Sequence, residues 1–400
     1  MKKLLFAAYN REHLENFVEL EKFLQDKFEI YYLDVNDIVK QRIDFTGKKT
    51  VKFDVDYPFP ESFFLLSSLQ KLKFAFKNRK RMANLAKGYD AFVIGSDSLF
   101  NRILLNSARR KNKKTFLLLD SIVYDAYKYR YSKDANNKVL RHKFFKQLLN
   151  VGPLNEIFPV LIGSTKVNAI FVSGNYSKES VEKYNKNSLV YATGIPRFSK
   201  FQILKSDEAL KPSDVINIAY FTGAYQWHKN YKSIDAQEKN IAALVKLIED
   251  LRKETGKDVR FIIKIHPRDD AKYYEQYKDR NFIDIIEGGN NLELYKRLDC
   301  LLAISCTTMI ESLRIVNKVG AMVLYTDQDD IKQNEYLNSG MFLLIKSEEE
   351  LRAEILDLLS SNDQFDENRL QTVNRFVSES TIDSAKIISE IIETIVFNKT

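Results

Sequence analysis

The stretch from Val259 to Tyr325 decides how this chain is read: VRFIIKIHPRDD at 259–270, a connection ending NNLELYKRLDC at 290–300, then LLAISCTTMIESLRIVNKVGAMVLY at 301–325. Phe261 to Ile265 is a β-rich run, and Pro267 forces the backbone out of regular structure just beyond it. His266 and Pro267 therefore stand at the C-terminal end of a strand, after Lys264. Leu301 to Ile304 is a second short apolar run, followed by Ser305-Cys306-Thr307-Thr308, whose hydroxyls suit a helix start. The spacing predicts a helix from Thr308 to Val316, with Glu311 on its first turn, able to reach a ribose hydroxyl or to close a capping box with Thr308. In an open parallel sheet, ligands bind outside the carboxyl ends of the strands, and helix N-termini present free N–H groups to phosphate oxygens. Both loops meet that description.

Strand and helix patterns alternate on either side of this stretch. Upstream, Ile216 to Phe221 reads as a strand running into Thr222-Gly223-Ala224-Tyr225-Gln226-Trp227-His228-Lys229-Asn230, a loop whose rings can stack on a base while His228 and Lys229 neutralise a diphosphate. Downstream, helices are expected over Ser347–Ser360 and Glu367–Phe397, the last long enough to cross back to the first half. The polar, Pro212-containing segment 201–214 reads as a linker, giving domains 1–200 and 215–400, with the terminal helices counted in the second. The first domain opens β-α-β: a strand over Lys3–Ala8, an amphipathic helix from about His13 to Lys27, and a strand over Ile30–Val35. Asp90 to Gly95 leads into Ser96-Asp97-Ser98, and Thr115 to Leu119 ends at Asp120-Ser121. A basic, Tyr-rich helical stretch is expected over Tyr124–Asn150. The fold class is α/β, with two Rossmann-like, doubly wound domains.

With 400 residues, 44% of them apolar and 12% aromatic, the chain has material for two cores. Cys300 and Cys306 fit reduced thiols in a cytoplasmic protein better than a disulfide framework. No run reaches the roughly 18 apolar residues that a spanning helix needs. Charge is split: residues 1–200 hold 36 Lys and Arg against 20 Asp and Glu, and 201–400 hold 26 against 34. Positive charge gathers at Lys71, Lys73, Lys77, Arg79, Lys80 and Arg81, among Phe63, Phe64, Phe74 and Phe76, in a helical segment expected over Glu61–Lys87. Such a helix can pack on the sheet with its lysines in water, or lie on an anionic membrane surface. No nucleic-acid-binding module or metal-ligand cluster is present in the sequence.

Taken in order, Thr193–Phe198 (TGIPRF), Phe261–Asp270 (FIIKIHPRDD) and Leu294–Leu324 resemble the GT-B superfamily of glycosyltransferases. Within it they are similar to bacterial sialyltransferases and polysialyltransferases, capsule transferases and CDP-glycerol glycerophosphotransferases. The resemblance covers roughly residues 189–325. It implies two domains facing a cleft, the first binding the acceptor and the second the donor. It further implies that His266 contacts the donor phosphate or ribose, that Ser305, Thr307 and Thr308 hold the phosphate, and that Glu311 is the acidic residue on the following helix. The Trp-His-Gly and Asp-Tyr-Ser-Ser patterns of the glycerophosphotransferases are absent, so sugar transfer is favoured over glycerol phosphate transfer.

The expected activity is therefore transfer of a sugar from a CMP- or other nucleotide-activated donor to a surface glycan or lipid-linked acceptor, at the cytoplasmic face of the membrane. The nucleotide-sugar is a co-substrate, and no metal or other cofactor is expected. An inverting transferase needs a general base for the acceptor hydroxyl; the candidates are Asp97 and Asp120, each at a predicted strand end and each equally suited to capping a helix. The alternatives are a nucleotide-sugar 2-epimerase of the same architecture, needing several acid/base carboxylates, and a non-catalytic glycan- or nucleotide-binding protein.

Overall fold

The computed structural model describes residues 1–40, 42–55, 57–63, 66–123, 162–201, 215–226, 230–327, 331–332, 337–360 and 367–398. They form two compact units: Met1–Ser199 together with Asn374–Thr400, and Lys200–Val373. The segment expected to be helical at Tyr124–Asn150 lies outside the described residues.

The first unit carries β1 (Lys2–Ala7), α1 (Arg11–Leu24), β2 (Phe28–Asp34), α2 (Asn36–Val39), β3 (Thr50–Lys52), α3 (Ser68–Lys87), β4 (Ala91–Ile94), α4 (Leu99–Arg109), β5 (Lys114–Leu118), β6 (Ala169–Val172), α5 (Asn175–Glu182) and β7 (Leu189–Ala192). Its seven strands lie in the order β3-β2-β1-β4-β5-β6-β7, and every pairing is parallel. A parallel sheet covered on both faces needs strands that are apolar throughout. AFVI in β4 and AIFV in β6 are buried at every position. Because β1 connects outward to β2 on one side and the chain later returns to β4 on the other, the order reverses between β1 and β4. There the loops at the carboxyl ends diverge and leave a crevice.

The second unit repeats the plan: β8 (Val215–Phe221), α6 (Tyr231–Thr255), β9 (Asp258–Ile265), β10 (Ile283–Glu287), α7 (Asn291–Tyr295), β11 (Cys300–Ala303), α8 (Thr307–Ser312), β12 (Lys318–Met322), β13 (Leu343–Ile345) and α9 (Glu348–Ser360). The strand order is β10-β9-β8-β11-β12-β13, again all parallel. Its reversal falls between β8 and β11, the strands that precede the Gly223 loop and the Ser305 turn.

Three expected helices are shorter than their patterns suggest, and the one expected over Thr308–Val316 stops at Ser312. The basic helix begins only at Ser68, where Ser67 and Gln70 close a capping box. The terminal segment is not one helix but two, α10 (Glu367–Phe376) and α11 (Ser384–Phe397). The break has a physical cause. The Ser378 N–H donates to the Ser173 carbonyl at 2.8 Å, and a Cβ on Gly194 would lie 2.3 Å from the Thr381 hydroxyl. The chain bends to dock on the first sheet, and α11 then buries Ala385, Ile388, Ile392 and Val396 in the cluster formed by Leu4, Phe6, Phe17, Leu20 and Phe171. Residues from Asn374 onward thus belong with the first unit, although their sequence position suggested the second.

Ile388 and Ile392 are fully buried, so Ile388→Ala or Ile392→Ala is expected to lower stability by about 2–5 kcal/mol each. Urea unfolding followed by circular dichroism measures it. An unchanged midpoint in both variants would show that α11 is not part of the first core.

Candidate functional site

At the reversal in the first sheet, His13 enters on the first turn of α1, just beyond β1, and is 4% exposed. A Cβ on Gly95, just beyond β4, would lie 2.3 Å from the His13 ring. Only a residue without a side chain lets the imidazole lie across the crevice mouth. The Tyr9 N–H donates to His13 Nδ1 at 3.2 Å, which leaves the ring proton on Nε2. Nε2 in turn faces Asp120 Oδ2 at 3.5 Å. Asp120 follows β5, and its side chain keeps 21% of its surface exposed. Burial raises its carboxyl pKa, but His13 and Arg197 pull the other way, and the balance falls below the usual carboxylate value. Arg197, from the TGIPRF segment, is itself anchored by its N–H to Asn16 Oδ1 at 2.9 Å. An ionised carboxylate, an imidazole and a guanidinium thus meet at the carboxyl ends of β1, β5 and β7.

Asp97, the other candidate base, has a different role. Its Oδ2 accepts from Arg102 Nη2 at 2.9 Å, the Gly163 N–H at 3.0 Å and the Thr165 hydroxyl at 3.0 Å. Arg102 is fully buried, and its Nε donates to the Asp97 carbonyl at 3.0 Å. Burial pushes the Asp97 carboxyl up, against the pull of Arg102. A carboxylate oxygen with three donors is an internal fastening for the loop ahead of β6, not a base turned towards substrate.

In the second unit, the loop after β8 and the turn after β11 meet. Tyr225 folds over Gly223, where a Cβ would lie 2.6 Å from its ring, and its hydroxyl accepts the Ser305 N–H. The Gly223 N–H donates to Gln237 Oε1 at 2.7 Å, and Gln237 Nε2 donates to the Tyr274 hydroxyl at 2.8 Å. Tyr274 donates to Asp269 Oδ2 at 2.6 Å. One chain of bonds therefore ties the Gly223 loop to the His266–Asp270 turn. The His266 N–H donates to the Thr222 hydroxyl at 2.9 Å, and its Nδ1 accepts the Arg268 N–H at 3.1 Å. His266 is half-buried, Pro267 and Thr307 are exposed, and Ser305 and Thr308 are half-buried. His228 and Lys229 lie outside the described residues.

Lys264 turns to the Gly288 loop. It is buried and donates to the Gly288 carbonyl, and burial lowers its pKa. It lines a cavity of about 370 Å³ with Ile286, Gly288, Gly289, Asn290 and Leu294, beside the carboxyl ends of β9 and β10. The capping box expected between Thr308 and Glu311 is not formed. Cys306 holds the cap position of a six-residue α8, and the buried Glu311 carboxylate accepts from the Tyr295 hydroxyl at 3.0 Å. Burial pushes the Cys306 thiol up to about 11, which keeps it protonated at neutral pH and unsuited to nucleophilic work.

No family model matches this chain, and no curated relative does. Solved structures match it over nearly its full length. A protein of Listeria monocytogenes assigned as a UDP-N-acetylglucosamine 2-epimerase aligns with a TM-score of 0.61 and 13% identity, over 100% of this chain and 97% of that one. The UDP-GlcNAc 2-epimerase of Neisseria meningitidis, solved with UDP-GlcNAc, aligns at 0.56 and 14% over 100% of both chains. The glycosyltransferase of kitacinnamycin aligns at 0.59 and 11%, over 98% of this chain and 99% of that one. The fold is the GT-B fold. These neighbours are enzymes, and the set spans both transferases and epimerases.

Within this GT-B fold, the sequence named Asp120, His266 and the Ser305 turn as candidates but not His13, Arg197 or the Gln237–Tyr274–Asp269 chain. The available signal was a histidine one helical turn past a first strand, with a lone glycine closing β4.

Asp97→Asn leaves the Arg102 charge buried without its partner, which is expected to cost about 3–5 kcal/mol of stability. Thermal unfolding measures this. A variant as stable as the parent would show that the pair does not fasten the β6 loop.

Proposed function

We propose that this protein is a glycosyltransferase that moves a sugar from a nucleotide-activated donor to a hydroxyl of a surface glycan or lipid-linked acceptor. The observation that carries the reading is the His13–Asp120 pair at the reversal of the first sheet. An acceptor hydroxyl bonded to the exposed part of Asp120 can pass its proton to that carboxylate, which the His13 Nε2–H faces, as the hydroxyl oxygen attacks the sugar and the nucleotide leaves with the electrons of its bond to the sugar. His13 and, to a smaller extent, Arg197 hold the carboxylate ionised until that moment. The epimerase alternative needs several acid/base carboxylates, and of the two candidates only Asp120 is available, since Asp97 is committed to Arg102.

On the donor side, the reading assigns the nucleotide phosphates to His266, Ser305, Thr307 and Thr308, with His228 and Lys229 as further cations, and the ribose to Glu311. Gly223 gives the phosphates close approach, Pro267 ends the strand beside them, and the cavity next to Lys264 takes the base. Nucleotide-sugar binding by the Neisseria meningitidis neighbour supports this class of donor; CMP-linked sugars, as in the sialyltransferases, are one member of it. Leaving-group charge is then met by side chains and helix N–H groups, without a catalytic metal.

The same reading puts the protein at the cytoplasmic face of an anionic membrane. Among the described residues no helix is long and apolar enough to cross a bilayer. On α3, Phe74 is core, but Leu69 and Phe76 are exposed at 76% and 49%, on the same side of the helix as the exposed Lys73, Lys77 and Lys80. Arg79 and Arg81 are exposed at its flanks, whereas Lys71 is half-buried above the Phe63 ring.

Three outcomes test these assignments. Asp120→Asn and His13→Gln should each lower kcat about 10²- to 10⁴-fold with little change in nucleotide affinity; wild-type turnover in both would remove the pair as the base. His266→Ala should weaken nucleotide binding in calorimetric titration by about 1.5–3 kcal/mol, and an unchanged Kd would remove the donor assignment. Replacing Lys73, Lys77 and Lys80 with Gln should abolish salt-sensitive co-sedimentation with phosphatidylglycerol vesicles, each lysine contributing about 1 kcal/mol. Vesicle binding unaffected by the change would exclude α3 as the contact.

A further inference from the structure

At the amino-terminal ends of β5, β6 and β7, opposite the end that carries Asp120, lies an open cavity of about 640 Å³. Its charged lining is entirely cationic: Arg109, Lys113, Lys114, Lys166 and Lys186, with no aspartate or glutamate. These residues come from four segments of chain: the last turn of α4, the turn after it, the approach to β6 and the approach to β7. Their convergence is therefore a product of the fold and not of one basic run. The turn itself is held by Asn112 in the left-handed region at φ 57°, which lets Lys111–Lys114 double back beneath the sheet.

A helix C-terminus attracts cations, and Arg109 in the last turn of α4 fits that simpler account. The account stops there. The backbone beyond α4 is already satisfied, the N–H groups of Lys111 and Lys113 both donating to the Ala108 carbonyl. Lys113 pairs with Asp90 at 3.6 Å. Lys114, Lys166 and Lys186 have no anionic partner among the described residues and do not lie on a helix end. Several like charges around one hollow repel, and they focus a positive potential into it. Neutral donors complete the lining. Asn168 uses its side-chain oxygen to accept the Thr115 N–H at 2.9 Å, which leaves its NH₂ as a donor. Asn112 and Asn187 line the same space.

We propose that this cavity is a second binding site, for a ligand carrying two or more phosphate groups, about 20 Å from Asp120 along β5 at roughly 3.3 Å per residue. The volume lies in the range of small-molecule pockets. Lysines and amides at several depths suit phosphates spaced along a chain, where one phosphate would engage only part of the lining. The site stands apart from the transferase reading, because none of its residues belongs to the donor or base assignments.

Calorimetric titration of the full chain with sodium tripolyphosphate at 50 and 150 mM salt tests it. The expected result is one saturable site, weaker at the higher salt, that His266→Ala leaves unchanged. The double variant Lys166→Glu/Lys186→Glu, at two exposed positions, should weaken it at least tenfold. Lys73→Glu/Lys80→Glu on α3, an identical change of net charge, should alter it less than twofold. Two results would overturn the proposal: no saturable binding at 150 mM salt, or equal losses in the two double variants. The vesicle assay separates the sources of phosphate. If Lys166→Glu/Lys186→Glu also reduces binding to vesicles of cardiolipin, a lipid with two phosphates, the cavity takes a lipid headgroup; if it spares vesicle binding but not tripolyphosphate, the ligand is soluble.

Discussion

A parallel sheet that reverses its strand order next to its first strand has to open its loops at one point, and both units of this chain are built on that constraint. In the first, β1 lies between β2 and β4; in the second, β8 lies between β9 and β11. The residues with chemical capacity gather at these two reversals. What makes the first productive is the missing side chain at Gly95, against which the His13 ring lies. Any other residue there would push the imidazole out of line with Asp120. In the second, Gly223 does the same for Tyr225, which closes over it and ties the β8 loop to the Ser305 turn.

The fold was legible because buried parallel strands are continuous apolar runs, and because the alternation of strand and helix repeats through both halves. The loops proposed for the donor were legible for a related reason: His266 and the Ser305 turn lie in one uninterrupted stretch, each directly after a strand. The proposed base was only half legible. Asp120 could be named from its strand end, but His13 reads as the start of an amphipathic helix, and its partner is brought to it only when β1 and β5 are placed on either side of β4. Asp97 looked equivalent to Asp120 because burial is invisible in sequence, and Arg102, one turn into α4, folds back to occupy it. The terminal segment misled by periodicity. Its apolar spacing carries through, but the bend at Ser378–Asp383 follows from a hydrogen bond to Ser173, a residue some two hundred positions earlier.

The first unit is asymmetric along its strands. Its carboxyl ends carry a small, mutually balanced group of an imidazole, a carboxylate and a guanidinium. Its amino-terminal ends and the outer side of α3 carry clustered cations. Part of the excess of Lys and Arg over Asp and Glu in residues 1–200 therefore has an address in the fold. Charge of this kind attracts phosphate-rich partners and contributes little to the core, which is built from Leu, Ile, Val and Phe.

The central claim is that the His13–Asp120 pair serves a transfer reaction and not the inversion of a carbon on a bound nucleotide-sugar. Proton NMR of a panel of nucleotide-sugars incubated with the protein tests it most directly. The account predicts release of free nucleotide with the configuration at sugar C2 unchanged, slow when water is the acceptor and faster when a glycan is added. Conversion of the nucleotide-sugar to its C2 epimer without any acceptor would contradict it.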